Sequence, residues 1–399
     1  MALALPASTN NQHHVAGEQQ SHCSIIARMH VSSSGAHFAA LDHVRALAAL
    51  LVVAWHFLHG QHGQPVPFEG APAWWPLALF DEGHTGVALF MSLSGYLFAR
   101  LLEGRRVDFP RFLFNRLLRL LPLLLLVMLL AGLRIVWHGG DGMAYLQALL
   151  RGFWQPTWPN GGWSIAVEMH FYLLLPLLLA LQARSVWWLW ALLALALAGR
   201  GLLWAWDGTV QHLAYFTLVG RIDQFLLGML ACRWRGHLAG RHGLAAAVAV
   251  AFCLFYWWFD ASGGFYQRPS YPSPGRLWIV LPLIEALAYA VLIAWYEASV
   301  RPSMRGPSRW LARAGAYSYS VYLLHFFIVF DAARWVHAHI MDISNFYVAC
   351  LWALLFYGLM LLPAHWSYRW VEAPFLRLRV PYIKQDEPSS PASRASRRG

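Results

Sequence analysis

Ten stretches of this 399-residue chain are almost continuously apolar, and most of its charged residues fall between them. A hydrocarbon layer of about 30 Å is crossed by about 20 helical residues, and the ten stretches meet that length. They lie at roughly 41–59, 84–102, 112–136, 163–182, 186–206, 212–232, 243–259, 277–297, 315–336 and 346–367. The sixth is the least apolar, because Arg221 and Asp223 interrupt it. A segment in lipid must satisfy its own backbone hydrogen bonds, so the pattern predicts an all-α, polytopic membrane bundle of about ten helices. The connections set its orientation. Those at 103–111, 183–185, 233–242 and 298–314 carry eleven arginines, whereas the alternate connections carry only Arg151, Arg268 and Arg276. This asymmetry places the arginine-rich connections, and both termini, in the cytoplasm.

Composition supports the membrane and excludes most else. The chain is 58% hydrophobic and 12% charged, against about 25% charged in a soluble domain. Disordered chains, disulfide scaffolds and most soluble enzymes are excluded. The net charge of +11 comes from arginines in short clusters rather than one patch, so it reports topology and implies no nucleic-acid partner. Cys23, Cys232, Cys253 and Cys350 show no metal or redox spacing. Residues 1–36 are polar, with no apolar core long enough for a signal peptide, and Met29 is an alternative start. Residues 381–399 are rich in Pro, Ser and Arg. Neither tail is expected to fold, which leaves 37–380 as the transmembrane domain.

Ionisable side chains inside apolar segments are expensive, so the few present mark where chemistry can reside. Arg45 and His56 are eleven residues apart in the first segment, within about 20° of one helical face and about 16 Å apart along the axis. One stripe thus carries a permanent cation near the cytoplasm and an imidazole past the midplane; snorkelling of Arg45 and a satisfied interior His56 are the alternatives. In the third segment Arg116 and Arg119, at i and i+3, repel unless an anion lies between them. Phosphate suits a guanidinium fork, and ordinary anchoring at the cytoplasmic face is the alternative. Glu168 enters the fourth segment with Tyr172 one turn on, the pattern of a buried acid held by a hydroxyl. Arg221 and Asp223 are expected to satisfy each other as a charge pair within the bundle. Ser318, Tyr322 and His325 share a face of the ninth segment, leaving His325 open between a catalytic, a substrate-binding and a packing role.

Other patterns fail. His37 with Asp42 and His337 with Asp342 both spell His-x4-Asp, and recurrence in unrelated contexts removes its meaning. Of His56, His59 and His62 only two share the helix and no carboxylate completes a set, so no metal is expected. Glycine-rich phosphate loops are absent.

Seven blocks recur in a fixed order: Arg45 to His56; Phe90-Met91-Ser92-Leu93-Ser94-Gly95-Tyr96; Arg116 and Arg119; Trp163-Ser164 to Glu168 and Phe171-Tyr172; Gly220-Arg221-Ile222-Asp223-Gln224-Phe225 to Gly228; Tyr317 to His325; and Tyr368-Arg369-Trp370-Val371-Glu372-Ala373-Pro374. Together they resemble the acyltransferase 3 family of bacterial integral-membrane acyltransferases, over about 38 to 377. The resemblance implies a ten-span enzyme of the bacterial inner membrane. It would take an acyl group, often acetyl, from cytoplasmic acyl-CoA and pass it to a hydroxyl, usually on a sugar of a surface polysaccharide or glycoconjugate. Some relatives carry a fused SGNH-type domain; none is expected after residue 380, which makes this a stand-alone member. On this reading Arg116 and Arg119 hold the CoA phosphates with Arg45 nearby, and His56 deprotonates the acceptor or relays the acyl group. Glu168 orients His56 or binds the sugar, and His325 is a second candidate catalytic histidine. The axial gap of about 16 Å from Arg45 to His56 compares with the reach of a pantetheine arm. Acyl-CoA is a substrate here, and no bound cofactor is called for. A proton-coupled multi-span transporter is the rival reading. The arginine pair at a cytoplasmic helix end and the lack of a clear inverted repeat favour the transferase.

Overall fold

A computed structural model describes residues 38–60, 63–303 and 305–384, and among these the chain is helical apart from loops and one isolated bridge, Val107 to Ile383. The helices are α1 (Ala39–His59), α2 (Gly86–Leu102), α3 (Phe109–Trp137), α4 (Gly142–Arg151), α5 (Gly162–Arg184), α6 (Trp187–Asp207) and α7 (Gln211–Phe216). They continue as α8 (Leu218–Leu238), α9 (His242–Ala261), α10 (Leu277–Ser299), α11 (Gly306–Ala316), α12 (Ser318–Leu324), α13 (Val329–His339) and α14 (Phe346–Ser367). A π turn, Tyr368–Glu372, follows α14. Local chemistry fixes several starts. Asp108, Asp141, Thr217 and Asn345 each accept backbone N–H bonds at the first turn of α3, α4, α8 and α14, which satisfies donors the helix itself leaves unpaired.

Among the described residues eight helices are long and apolar enough to cross a membrane, and the pair α12–α13 would supply a ninth. Their outward faces carry the apolar residues: Leu125, Leu129 and Leu133 on α3, Trp187, Leu195, Leu202 and Trp206 on α6, and Leu351, Leu355, Leu359 and Leu362 on α14. A water-soluble protein does not expose stripes of this extent, and lipid is their natural surrounding. Two expected spans differ from their prediction. The sixth is a 21-residue helix, α8, but is not apolar enough to count among the eight, because its polar residues are packed against other helices rather than set in lipid. The ninth is not one continuous helix. It breaks around His325–Phe327 and Ile328, and its two parts meet at 54°.

The core forms around α8, which packs against α2 and α10. The contact with α2 is backbone on backbone: a Cβ on Gly95 would come within 2.1 Å of the Phe225 carbonyl oxygen, and one on Gly228 within 2.2 Å of that of Ser92. Arg221 and Asp223 of α8 are paired, though not with each other. Arg200 of α6 reaches Asp223 through two bonds of 2.8 and 2.5 Å, and Arg221 reaches Glu285 of α10 at 3.2 Å. The expected Arg221–Asp223 pair is thus corrected: residues two apart on a helix point to different flanks, so each meets a different neighbour.

The folded region also extends past its predicted end at residue 380. Asn115 donates to the Val380 carbonyl at 2.7 Å and accepts from its N–H at 3.0 Å. Asp108 N–H donates to Tyr382 O, and Lys384 N–H donates to Arg106 O. Tyr382 is buried. Residues 1–37, 61–62, 304 and 385–399 lie outside the described residues, and with them the expectations for the N-terminal tail, for 385–399, and for Met29, Cys23, His37 and His62.

The glycine contact gives a direct check. Gly228→Val forces α2 and α8 apart and is expected to lower stability by about 1–3 kcal/mol or more, read as the melting midpoint in detergent. Gly199→Ala on α6, where a Cβ meets nothing within 4 Å, is expected to leave that midpoint unchanged or slightly raised.

Candidate active site

His56 sits one turn from the end of α1, and His325 sits where the ninth segment breaks. The fold brings them together with ring centroids 4.8 Å apart. Their hydrogen bonds decide the tautomers, because a carbonyl oxygen can only accept. His56 Nδ1–H donates to Val52 O at 2.8 Å, and His325 Nδ1–H donates to Tyr322 O at 2.6 Å. The neutral His325 therefore presents its Nε2 lone pair, which lies 3.2 Å from His56 Nδ1 and shares that proton. His56 is left with Nε2 as its basic nitrogen, and no described side chain donates to it. Phe326, Phe330 and Trp55 pack around the His56 ring and fix its plane.

That ring forms one wall of a cavity of about 150 Å³. The other walls come from five separate parts of the chain: His84 and Val87 at the start of α2, Gly161 and Trp163 at the start of α5, Tyr215 and Phe216 of α7, Phe265 and Tyr266 of the loop after α9, and Tyr322 and Phe326. Tyr322 Oη lies 2.8 Å from Ser164 Oγ, and both hydroxyls approach the Gly161 carbonyl. Gly161 has φ 73°, and a Cβ there would meet the Tyr322 ring at 2.9 Å. Only glycine combines that backbone angle with so close an approach. A wider cleft of about 410 Å³, lined by residues including Gln64, Phe68, Glu69, Gln267 and His337, lies beside this cavity. The Phe68 ring packs on Tyr266 of the cavity wall at 4.6 Å.

Glu168 lies one turn along α5 from Ser164. Its Oε1 accepts from Ser94 Oγ at 2.7 Å and from Tyr172 Oη at 2.6 Å. The tyrosine partner is as expected, but the idea that Glu168 orients His56 is corrected: Val52 O and His325 hold that ring instead. The arginines gather elsewhere. Arg119 pairs with Glu372 at 2.5 Å, which also accepts a bond from Ser320, and its guanidinium lies over the Tyr319 ring. Arg116 lies over Phe98 and Phe112 with its Nε buried and unbonded. The predicted repulsion is therefore relieved at Arg119 by a carboxylate, while Arg116 has no carboxylate partner among the described residues. Arg379 completes the group, and burial together with Arg116 and Arg119 pushes its pKa down. Arg45 is bonded to Asp42 of its own helix.

Further polar residues stand near the cavity: Glu82 and His84 escaped the sequence reading, and His59 entered it only in the rejected metal set. His59 faces the carbonyls of Val66 and Asp81, with the Asp81 carboxylate 3.3 Å away. Glu82 is buried; it accepts from Phe265 N–H at 3.1 Å and lies 2.9 Å from His84 Nε2. Burial, and then the Asp81 charge, push its pKa up to about 8. The available signal was the run Asp81-Glu82-Gly83-His84 at the mouth of the second apolar stretch. Arg200 and Glu285 were visible in the same way, as single charges inside spans. His337 and Asp342 do meet, at 3.4 Å, but on the exposed surface.

The family described as an acyltransferase domain matches the chain over residues 38–369. A protein of Komagataeibacter xylinus named "Putative membrane-bound transacylase BcsY" is 26% identical over 313 residues, which cover 71% of each chain. No solved structure matches.

The Glu82 environment predicts a pH dependence. Its raised pKa means that between about 4.5 and 8 the folded protein holds a proton the unfolded chain releases. Stability is therefore expected to fall as pH rises through that window and to level off above it. Melting midpoints measured across pH should show this decline, and Glu82→Gln should flatten it.

Proposed function

The chain belongs to the acyltransferase 3 family of membrane acyltransferases, and from that premise we propose that it transfers an acyl group, acetyl in the first instance, from acyl-CoA to a hydroxyl of a cell-surface sugar, polysaccharide or related glycoconjugate. The observation that carries this reading is the unpaired Nε2 of His56 in a cavity wall, backed through Nδ1 by His325. His56 Nε2 takes the proton of the acceptor hydroxyl as its oxygen attacks the thioester carbon. The charge that develops on the imidazole is shared with His325, which occupies the orienting place that a carboxylate fills in hydrolase triads. Collapse of the tetrahedral intermediate breaks the carbon–sulfur bond, and the proton on Nε2 passes to the departing thiolate. The products are an ester and free CoA, with His56 restored.

In this reading Arg116 and Arg119 receive the CoA phosphates. The pairing of Arg119 with Glu372 makes Arg116 the more available cation. Arg45, tied to Asp42, lies toward the same cytoplasmic end, about 16 Å along α1 from His56. Glu168, with Ser94 and Tyr172, joins α2 to α5 and holds the route between the two ends. The proposed topology counts α8 and the bent α12–α13 pair as passes, giving ten, with both termini in the cytoplasm of a bacterial inner membrane. The wider cleft beside Tyr266 then faces outward and offers the acceptor its approach.

The test is thiol release from acetyl-CoA by the purified protein with candidate glycans, the product being identified by mass spectrometry. His56→Ala is expected to lower kcat by about 10²–10⁴-fold. Arg116→Gln is expected to raise the KM for acetyl-CoA by about tenfold with kcat nearly unchanged, as for loss of uniform binding. Turnover that survives both His56→Ala and Arg45→Ala would sink this mechanism, and solute uptake without CoA turnover would point instead to a proton-coupled transporter.

A further inference from the structure

A second imidazole bounds the His56 cavity, and the transfer chemistry just described does not use it. His84 is 1% exposed, and among the described residues neither of its ring nitrogens has a hydrogen-bond partner. Its Nε2 lies 2.9 Å from Glu82 Oε2, but off the line of a hydrogen bond, and that oxygen is unbonded as well. Trp55, Tyr215 and Phe265 enclose the ring, with centroids 5.6, 5.5 and 4.7 Å away, so it is wedged among apolar surfaces. Buried polar atoms are normally satisfied, and an orphaned set in a cavity wall is where a ligand completes the bonding.

The orphaned atoms also specify the ligand's chemistry. Neutral imidazole offers one donor and one acceptor, and a hydroxyl supplies the complement of either. The cavity's 150 Å³ is about the volume that takes a single six-membered ring. Trp55 lies between the two imidazoles, 4.8 Å from His56 and 5.6 Å from His84, so one ring laid along it can reach both. Glu82 fixes the arrangement from behind. Its Oε1 accepts from Phe265 N–H, and it approaches Gly264 so closely that a Cβ there would stand 1.7 Å away.

We propose that His84, wedged among Trp55, Tyr215 and Phe265, is the acceptor-recognition residue: it hydrogen-bonds a non-reacting hydroxyl of one pyranose-sized polyol ring while another hydroxyl faces His56 Nε2. The proposal rests on the reading of this cavity as the acceptor side of a transferase, and its test is arranged to fail separately from that reading. The full-length protein, with no CoA added, is titrated with methyl glucopyranoside, galactopyranoside and mannopyranoside, and binding is followed by calorimetry and saturation-transfer NMR. Wild type is expected to bind at least one of them. His84→Phe is expected to weaken that binding by about tenfold and His84→Gln to restore most of it, while Gly199→Ala, which does not line the cavity, binds as wild type does. A monodeoxy form of the bound glycoside should lose affinity for wild type but not for His84→Phe, a coupling that mere structural damage would not produce. Melting midpoints confirm that each variant is folded; if His84→Phe is not, the same cycle is run with His84→Ala. The proposal is overturned if wild type binds none of the three glycosides, if the unfavourable variant binds as wild type does, or if no deoxy position couples to His84. Absence of thiol release from acetyl-CoA, by contrast, counts only against the transferase reading.

Discussion

A guanidinium and a carboxylate that meet away from water hold this bundle in register. Arg200 and Asp223 are both fully buried and joined by two bonds, and Arg221 with Gln224, Thr85 and Tyr256 supplies four donors to Glu285. Neither Arg221 nor Asp223 could remain in hydrocarbon unpaired, so α8, which carries them, has to lie inside, between α6 and α10. Breaking such a pair leaves a bare buried charge, which typically costs about 3–5 kcal/mol, far more than a surface ion pair is worth. Once α8 is interior, glycines on α2 and α8 let the two backbones touch, and α2 carries His84 and Val87 at its start into the cavity wall.

The cavity follows from that constraint together with a deliberate irregularity. Had the ninth segment continued as one straight helix, His325 would have been one more side chain on its face. The break at His325–Phe327 instead places the imidazole against His56 and lets its Nδ1 donate to a carbonyl in the last turn of α12. The backbone thereby chooses the tautomer of both rings. The chain of donors runs from His56 to His325 to the Tyr322 carbonyl, and it ends with one lone pair aimed at the cavity. Non-helical backbone at such a depth is tolerated only inside protein, which fits a functional rather than a lipid-facing position.

Much of this was legible in the chain. The apolar runs located the long helices to within about three residues, except α8, which lies six residues beyond its expected bounds, because length and hydropathy are local properties that lipid reads directly. Even α8 was found, though its charges made it the least apolar of the ten. Arg45, His56, Arg116, Arg119, Glu168 and His325 stood out because intramembrane polar residues are rare. Their partners did not. Spacing along one helix can say that Arg221 and Asp223 are close in sequence but not which other helix each faces. It likewise gave no sign that Glu372, from the far end of the chain, closes on Arg119. Glu82 fell in what read as a connection and His84 at the first position of the second stretch, where burial cannot be inferred from sequence, and the folding of 381–384 against α3 depends on Asn115 pairing with a backbone 265 positions away.

The division has one physical cause. Sequence alone determined that this chain lives in a membrane, where its helices run and which few residues the bilayer would not accept without a purpose, since each of those is a transfer free energy of a short segment. Tertiary structure decided which of those residues meet. It set His56 beside His325, parted Glu168 from both, neutralised Arg119, and enclosed His84 with no hydrogen-bond partner among the described residues, because hydrogen bonds between helices depend on angles and distances that no local pattern encodes.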